Sequence, residues 1–279
     1  MESVCVVIPV YKDTPSGDEY ISIRKSVMVL GRHTLSLVCP YGLNVTKYIA
    51  LAEEQSATLI VKRFSNTFFK DINGYNRLLL SISFYQEFKN YKYVLICQPD
   101  AYVFRDELIE WCNKGYDFIG APIIGSFSDM VFSEIMRVGN GGFSLRNVQV
   151  ALHFFNSKKN VFSPRQVAQR IALWKKPQTR IFVWIMMLLG WHNKPKTVAD
   201  GWKYNEDDFW SGLLDNSRFA LKKPSPEEAM QFSFERFPSE LFRRNGHKLP
   251  FGCHAWRKYE YSEFWAKYLP DSAESHYGE

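Results

Sequence analysis

The sequence predicts an α/β fold: a single domain built on a mostly parallel, doubly wound central sheet flanked by helices. Two observations carry this. Strand-like and helix-like patterns alternate over the first 120 residues, the arrangement that yields a parallel sheet. The strand candidates are also short, continuous apolar runs rich in β-branched residues, as expected of strands covered on both faces.

The elements follow in order. Strands are expected at Val4–Val10, Thr34–Cys39, Thr58–Phe64, Tyr93–Cys97 and Phe118–Ala121. Between them, Tyr20–Gly31, Val45–Gln55, Tyr75–Phe88 and Arg105–Lys114 read as helical; Leu78, Ile82 and Tyr85 recur at helical spacing. After Ala121 the alternation fails. A glycine-containing turn at 139–142 leads into helical and apolar stretches to about residue 192, then an acidic loop at 205–208 and a Pro/Glu-rich connection at 224–228. No linker is long or polar enough to divide residues 1–279 into two domains.

With 46% apolar and 16% aromatic residues the chain can bury a sizeable core, and wholesale disorder is excluded. The formal net charge is +6. Its basic residues are scattered (Lys158-Lys159, Lys175-Lys176, Arg243-Arg244), so no block argues for nucleic acid. The same bias suits anionic substrates such as nucleotide diphosphates, and anionic membrane surfaces. The five cysteines show no CxxC pair; together with an N-terminal run that reads as a strand, they fit a reducing, cytoplasmic setting. The longest apolar run, Ile181 to Trp191, is too short for a bilayer span of about 20 residues. It is expected to be a buried helix. The sharper alternative is a peripheral membrane contact through about 165–196, because Lys175, Lys176, Arg180, Lys194 and Lys196 flank it.

Four local patterns carry chemistry. Gln98-Pro99-Asp100 ends the fourth strand candidate. It is a turn, or it holds a carboxylate at the carboxyl end of a strand, where open α/β sheets bind ligands. Gly139-Asn140-Gly141-Gly142, followed by FSLRN, permits close backbone approach to a ligand but has neither the lysine of a P-loop nor dinucleotide spacing. Asn205-Glu206-Asp207-Asp208 sits between aromatic residues. Desolvation and like-charge repulsion would raise at least one of its pKa values toward that of a general base, and an N-cap cluster is the plain alternative. His254, in FGCHAW, is a core or surface residue, or it completes a metal shell with Asp100.

In that order the motifs resemble those of GT-A-fold nucleotide-sugar glycosyltransferases. QPDAYVF, YDFIGAPI, GNGGFSLRN, NEDDFW and PFGCHAW look more closely like a bacterial and fungal family long filed under unknown function and assigned to glycosyltransferases. The resemblance implies a GT-A-like (Rossmann-like) domain with a nucleotide-binding half at about 1–122 and an acceptor-binding half at about 123–279. It implies a divalent cation, Mn2+ or Mg2+, held by Asp100 and His254 against the donor diphosphate, with Gln98 standing where the family has its first acid and contacting a ribose hydroxyl or the donor sugar. Pro9, Val10 and Tyr11, with Asn76 and Arg77, would contact the nucleotide. Gly141, Gly142 and Glu206 would meet the sugars, and Asp207 would be the base. Trp202, Trp210 and Trp256 are sugar platforms or core residues. The implied partners are a nucleotide-sugar donor, with UDP expected on frequency, and a glycan or lipid-linked acceptor in surface polysaccharide synthesis of the capsule or lipopolysaccharide kind. Inversion would follow from a single base. Two other readings stay open: a non-catalytic sugar-binding protein with a decayed site, and a metal-dependent nucleotidyltransferase.

Overall fold

The structure is a computed structural model that describes residues 2–125, 134–172 and 177–269. In the first half it runs β1 (Glu2–Pro9), α1 (Gly17–Leu30), β2 (Thr34–Pro40), α2 (Thr46–Glu54), β3 (Leu59–Phe64), α3 (Ile72–Leu79), α4 (Ile82–Glu87) and β4 (Tyr91–Cys97). Next come β5 (Tyr102–Val103), α5 (Leu108–Asn113), β6 (Phe118–Gly120), β7 (Pro122–Gly125), β8 (Glu134–Val138) and β9 (Phe143–Asn147). Helices α6 (Val148–Asn156), α7 (Pro164–Ala172), α8 (Pro177–Leu188), α9 (Pro195–Asp200) and α10 (Glu206–Ser211) follow. The chain closes with α11 (Pro226–Phe232), β10 (Ser233–Phe234), α12 (Pro238–Arg244) and β11 (Gly252–Cys253).

Six strands form the main sheet in the order β3-β2-β1-β4-β9-β6. The first four are mutually parallel, and β9 runs antiparallel between β4 and β6. The five expected strands are all present. The sheet does not stop at residue 122, however: FSLRN returns as β9 and pairs Cys97 with Phe143 through to Tyr93 with Asn147. The helix expected over Tyr75–Phe88 is two helices, because Ser81 turns its hydroxyl onto the Phe84 N–H and starts a new one.

The sheet is buried on both faces, as its continuous apolar strands require. Val6, Ile8, Leu95 and Leu145 face one core, shared with Val27 and Leu30 of α1. Cys5, Val7, Val94 and Ile96 face a second, shared with Phe84, Phe154 and Trp210. All five cysteines are free and buried. A third cluster forms around a small sheet in the order β10-β11-β5, with Phe234, Trp256 and Trp265 at its centre. Trp256 is completely buried and donates its indole N–H to the Ser22 hydroxyl at 2.8 Å. Trp210 is buried as well. Neither offers a face to a sugar.

The apolar run Ile181–Trp191 is not a buried helix. Ile181, Phe182, Ile185, Leu189 and Trp191 are all exposed, with only Val183 of this run turned fully inward. Of the basic residues expected around it, Lys175 and Lys176 lie outside the described residues. Among the described residues no helix is long and apolar enough to cross a membrane.

Replacing Trp256 with alanine is expected to cost about 3–5 kcal/mol of unfolding free energy in urea, the price of emptying an aromatic core position. A loss below about 1 kcal/mol would mark it as peripheral.

Candidate active site

The order of the parallel strands reverses beside β1, which is flanked by β2 on one side and β4 on the other. At such a switch point the connections diverge and leave a crevice at the carboxyl ends of the strands. A cleft of about 480 Å3 opens there. Pro9, which ends β1, and Tyr11, just past it, form one wall and Gln98, Pro99 and Asp100, just past β4, form another. Tyr75 and the loop Phe69–Ile72 close it. Tyr11 is 55% exposed, so its ring is available to a planar ligand.

The small sheet assembles the cluster around Asp100. Its three strands bring Asp100, two residues before β5, together with Glu235, which follows β10, and His254, which follows β11. Backbone bonds from the His254 N–H to the Phe234 carbonyl (3.0 Å) and from the Ala255 N–H to the Asp100 carbonyl (3.1 Å) lock the register. The His254 ring then has Nε2 3.3 Å from Asp100 Oδ1 and 3.1 Å from Gln98 Oε1, while Nδ1 lies 3.1 Å from Glu235 Oε1. Burial disfavours a charged ring, but Asp100 and then Glu235 more than offset this and push the imidazole up to about 10. Burial likewise opposes ionisation of Asp100, and His254 outweighs it, holding the carboxyl below its ordinary value.

A second cavity, of about 180 Å3, is lined by Glu235, Asn140, Arg137, Asn205 and Asp207 among others. Its acidic wall is the first turn of α10, where Asn205 is the N-cap residue and Glu206, Asp207 and Asp208 follow. Both readings of the run hold: the acids sit at a helix N-terminus, where the peptide dipoles favour them, and they also line a cavity. Each acid has a different fate. Glu206 is buried and paired through both oxygens with Arg146, at 2.7 Å each. Asp208 pairs with Arg137. Asp207 accepts from the Gly141 N–H at 3.1 Å and the Asp208 N–H at 2.8 Å, and carries no ion-pair partner among the described residues. Burial raises the Asp207 carboxyl above its ordinary value despite the Gly141 bond and the nearby Arg146.

The glycine turn joins the two clusters. A Cβ at Gly142 would stand 2.2 Å from His254 Nε2, and one at Gly141 would stand 2.4 Å from Glu206 Oε1. Only backbone fits in either place. The Gly142 carbonyl in turn accepts from the Gln98 N–H at 3.0 Å, and Asn140 Oδ1 holds the Gly142 N–H. Arg146, inside β9, completes the frame: it bonds Ser144 Oγ and the Gly141 carbonyl, and lies 4.9 Å from the centre of the Phe118 ring. Burial works against its charge, and Glu206 more than offsets that, holding it above its ordinary range.

The sequence-derived candidates therefore divide. Pro9, Tyr11, Gln98 and Asp100 line the first cleft, His254 stands against Asp100, and Asp207 lines the second cavity. Gly141 and Gly142 make room for protein side chains rather than presenting an open bed for sugars. Val10 is a core residue, with its N–H bonded to the Val38 carbonyl. Asn76 is buried and spends its amide on the acidic turn, accepting from the Glu206 N–H and meeting Asn205. Arg77 is exposed and lines neither cavity. Trp202 is half-buried, donating to the Asn205 carbonyl and packing on Phe209, so it buttresses the acidic turn. Sequence reasoning missed Glu235 and Arg146. For Arg146 a signal existed: a cation within a buried apolar strand needs a buried anion.

A divalent cation fits this donor set. Gln98 Oε1, Asp100 Oδ1 and His254 Nε2 converge, and Glu235 on Nδ1 orients the ring as an outer-shell carboxylate does. Among the described residues no group of three or more His, Cys, Asp or Glu is arranged to hold a metal. The protein thus supplies a partial shell, the kind that Mg2+ or Mn2+ completes with phosphate oxygens and water.

The fold and site define an α/β protein with a cleft at a topological switch point and a second cavity walled by the acidic turn. The chain belongs to the family described as "Protein of unknown function (DUF5672)", whose model matches residues 58–254. No curated protein matches it. Among solved structures, GlyE, a glycosyltransferase of Streptococcus pneumoniae TIGR4, is similar in its apo form at 10% identity over 97% of this chain and 61% of its own, with a TM-score of 0.49. TarS of S. aureus matches at 11% identity over 53% of this chain and 29% of its own, TM-score 0.37. Core-mannan synthase A of Aspergillus fumigatus, in its Mn/GDP form, matches at 7% over 75% and 72%, TM-score 0.42. The chain spans less than two thirds of the TarS and GlyE structures.

Two substitutions test this frame. Glu206→Gln strands the Arg146 charge and is expected to cost about 3–5 kcal/mol in chemical denaturation, whereas Arg146→Met combined with Glu206→Leu recovers most of it. A double variant as unstable as the single one would contradict an isolated buried pair. Gly142→Ala is expected to displace the His254 ring, seen as shifted imidazole resonances with about 1–3 kcal/mol of overpacking cost. Unmoved resonances would place the ring elsewhere.

Proposed function

We propose that the protein is a metal-dependent glycosyltransferase that moves a sugar from a nucleotide-sugar donor, UDP-linked in the first instance, to a hydroxyl of a glycan or lipid-linked acceptor in cytoplasmic surface-polysaccharide synthesis. The observation that carries this is the division of the carboxylates. Asp100 lines one cavity and Asp207 and Glu235 line the other, with the His254 ring held between Asp100 and Glu235. The ordered motifs that resemble glycosyltransferases fall on these same residues.

In this reading the first cleft takes the nucleotide, with Tyr11 against the base and Pro9 and Tyr75 along the wall. Gln98, Asp100 and His254 would hold the cation, His254 giving up its Nε2 proton to do so, with Glu235 positioning the imidazole. A bound cation stabilises the negative charge that grows on the departing diphosphate. Asp207 takes the acceptor hydroxyl's proton as the oxygen attacks the anomeric carbon. Its raised pKa suits that task, because a base works best when its pKa approaches the working pH. Glu206 is not the proton acceptor; locked on Arg146, it fixes the turn that aims Asp207. With Asp207 and the leaving group on opposite sides of the sugar, a single displacement inverts the anomeric centre.

Donor hydrolysis and transfer assayed over UDP-, GDP-, CMP- and dTDP-sugars test the proposal. Asp207→Asn is expected to lower transfer by about 10²–10⁴-fold while leaving donor binding intact. The same substitution removes a desolvated charge, so the melting temperature should hold or rise. Activity of the unmodified protein should fall on the acid side with an apparent pKa above the usual carboxylate value of about 3.9, because protonated Asp207 accepts nothing. Full activity in Asp207→Asn would refute the assignment, and no turnover with any donor would favour the decayed-site reading.

A further inference from the structure

Helix α8 and the turn after it present an apolar face that no other described residues cover. Ile181, Ile185 and Leu189 recur every four residues and are 72%, 46% and 76% exposed; Phe182 and Trp191 extend the face at 64% and 47%. This exposure is built in. The opposite side of the helix is anchored, with Val183 buried and the Trp184 indole bonded to the Pro164 carbonyl at 3.1 Å. Its C-terminal carbonyls are taken by side chains: Asn160 bonds Leu188 and the fully buried Asn193 bonds Met187. The helix therefore cannot roll its apolar residues inward without breaking these bonds.

The segment of chain that carries this helix is cationic. Between residues 147 and 199 lie nine Lys or Arg and not one Asp or Glu. The rest of the chain then holds 26 basic and 29 acidic residues, so the entire positive balance of the protein resides in this segment. Lys158, Lys159, Arg165, Arg170 and Lys196 are exposed there. A protein partner of ordinary composition needs no such bias. An anionic lipid surface asks for both halves of it: apolar side chains that enter the acyl boundary and cations that meet the headgroups.

We propose that this face docks the protein peripherally on an anionic membrane surface, with α8 lying in the interface. Helix α6, in the same segment of the chain, packs on the acidic turn, where Phe154 meets Phe209 at 5.7 Å and Trp210 at 5.5 Å. The docking itself stands whether or not the transferase reading does.

The test is co-sedimentation with vesicles of phosphatidylcholine alone or with about 30% phosphatidylglycerol, at low and high salt. The expected result is binding to the anionic vesicles only, weakened by salt. Ile181→Ser/Ile185→Ser/Leu189→Ser and Lys158→Gln/Lys159→Gln/Lys196→Gln should each weaken it about tenfold or more, with unchanged melting because all six positions lie outside the core. Absence of binding to anionic vesicles at low salt would overturn the proposal and leave the face to a protein partner. So would binding that neither variant weakens. A dimer in light scattering that the apolar variant converts to monomer would assign the face to a second copy instead.

Discussion

The site depends on two absent methyl groups. Gly141 and Gly142 put bare backbone where Glu206 and His254 must pass, and in doing so hold the acidic turn and the imidazole cluster within one turn of chain. The same turn bonds Asp207 through the Gly141 N–H and the end of β4 through the Gly142 carbonyl. It sits at the start of β9, which is clamped between β4 and β6, so a rigid sheet fixes its position. Side chains held by a close-packed sheet keep their spacing in a way that loops alone do not.

Arg146 performs the second organising task. Three adjacent carboxylates at one helix start repel one another, and the protein resolves this by sending each to its own environment. Glu206 is neutralised in the interior and Asp208 is paired at the side, which leaves Asp207 as the acid whose ionisation remains sensitive to its surroundings. Burial raises it, a shift that would suit the proton acceptor proposed above. On the other side of Glu235, the His254 ring shows the opposite balance, with flanking carboxylates overcoming desolvation.

Much of this was legible in the sequence. Continuous β-branched runs identified five strands, and Pro99 after an apolar run marked the end of β4 and hence the switch-point crevice. The glycine turn, the acidic run and the late histidine were visible as departures from ordinary patterning. Their partners were not. Glu235 lies in an unremarkable stretch and gains its role only because three short strands of a minor sheet converge, a pairing that no local periodicity encodes. Asn76 and Val10 are nucleotide contacts by the resemblance alone, yet each neighbours a cleft residue in a strand or helix, where adjacent side chains point to different faces. Trp256 and Ile181 show the limit of hydropathy. The tryptophan beside the site is core, and the apolar helix expected to be core is surface, because burial follows from tertiary packing that composition does not specify.

The central claim is that Gln98, Asp100 and His254 form half a cation shell that a nucleoside diphosphate completes. Calorimetric titration of UDP, with GDP, CMP and dTDP as comparisons, in Mn2+ and again in chelator tests it most directly. The account predicts binding of one nucleotide that requires the cation, disappears in Asp100→Ala and persists in Asp207→Asn. Equal affinity in chelator, or undiminished binding by Asp100→Ala, would contradict it.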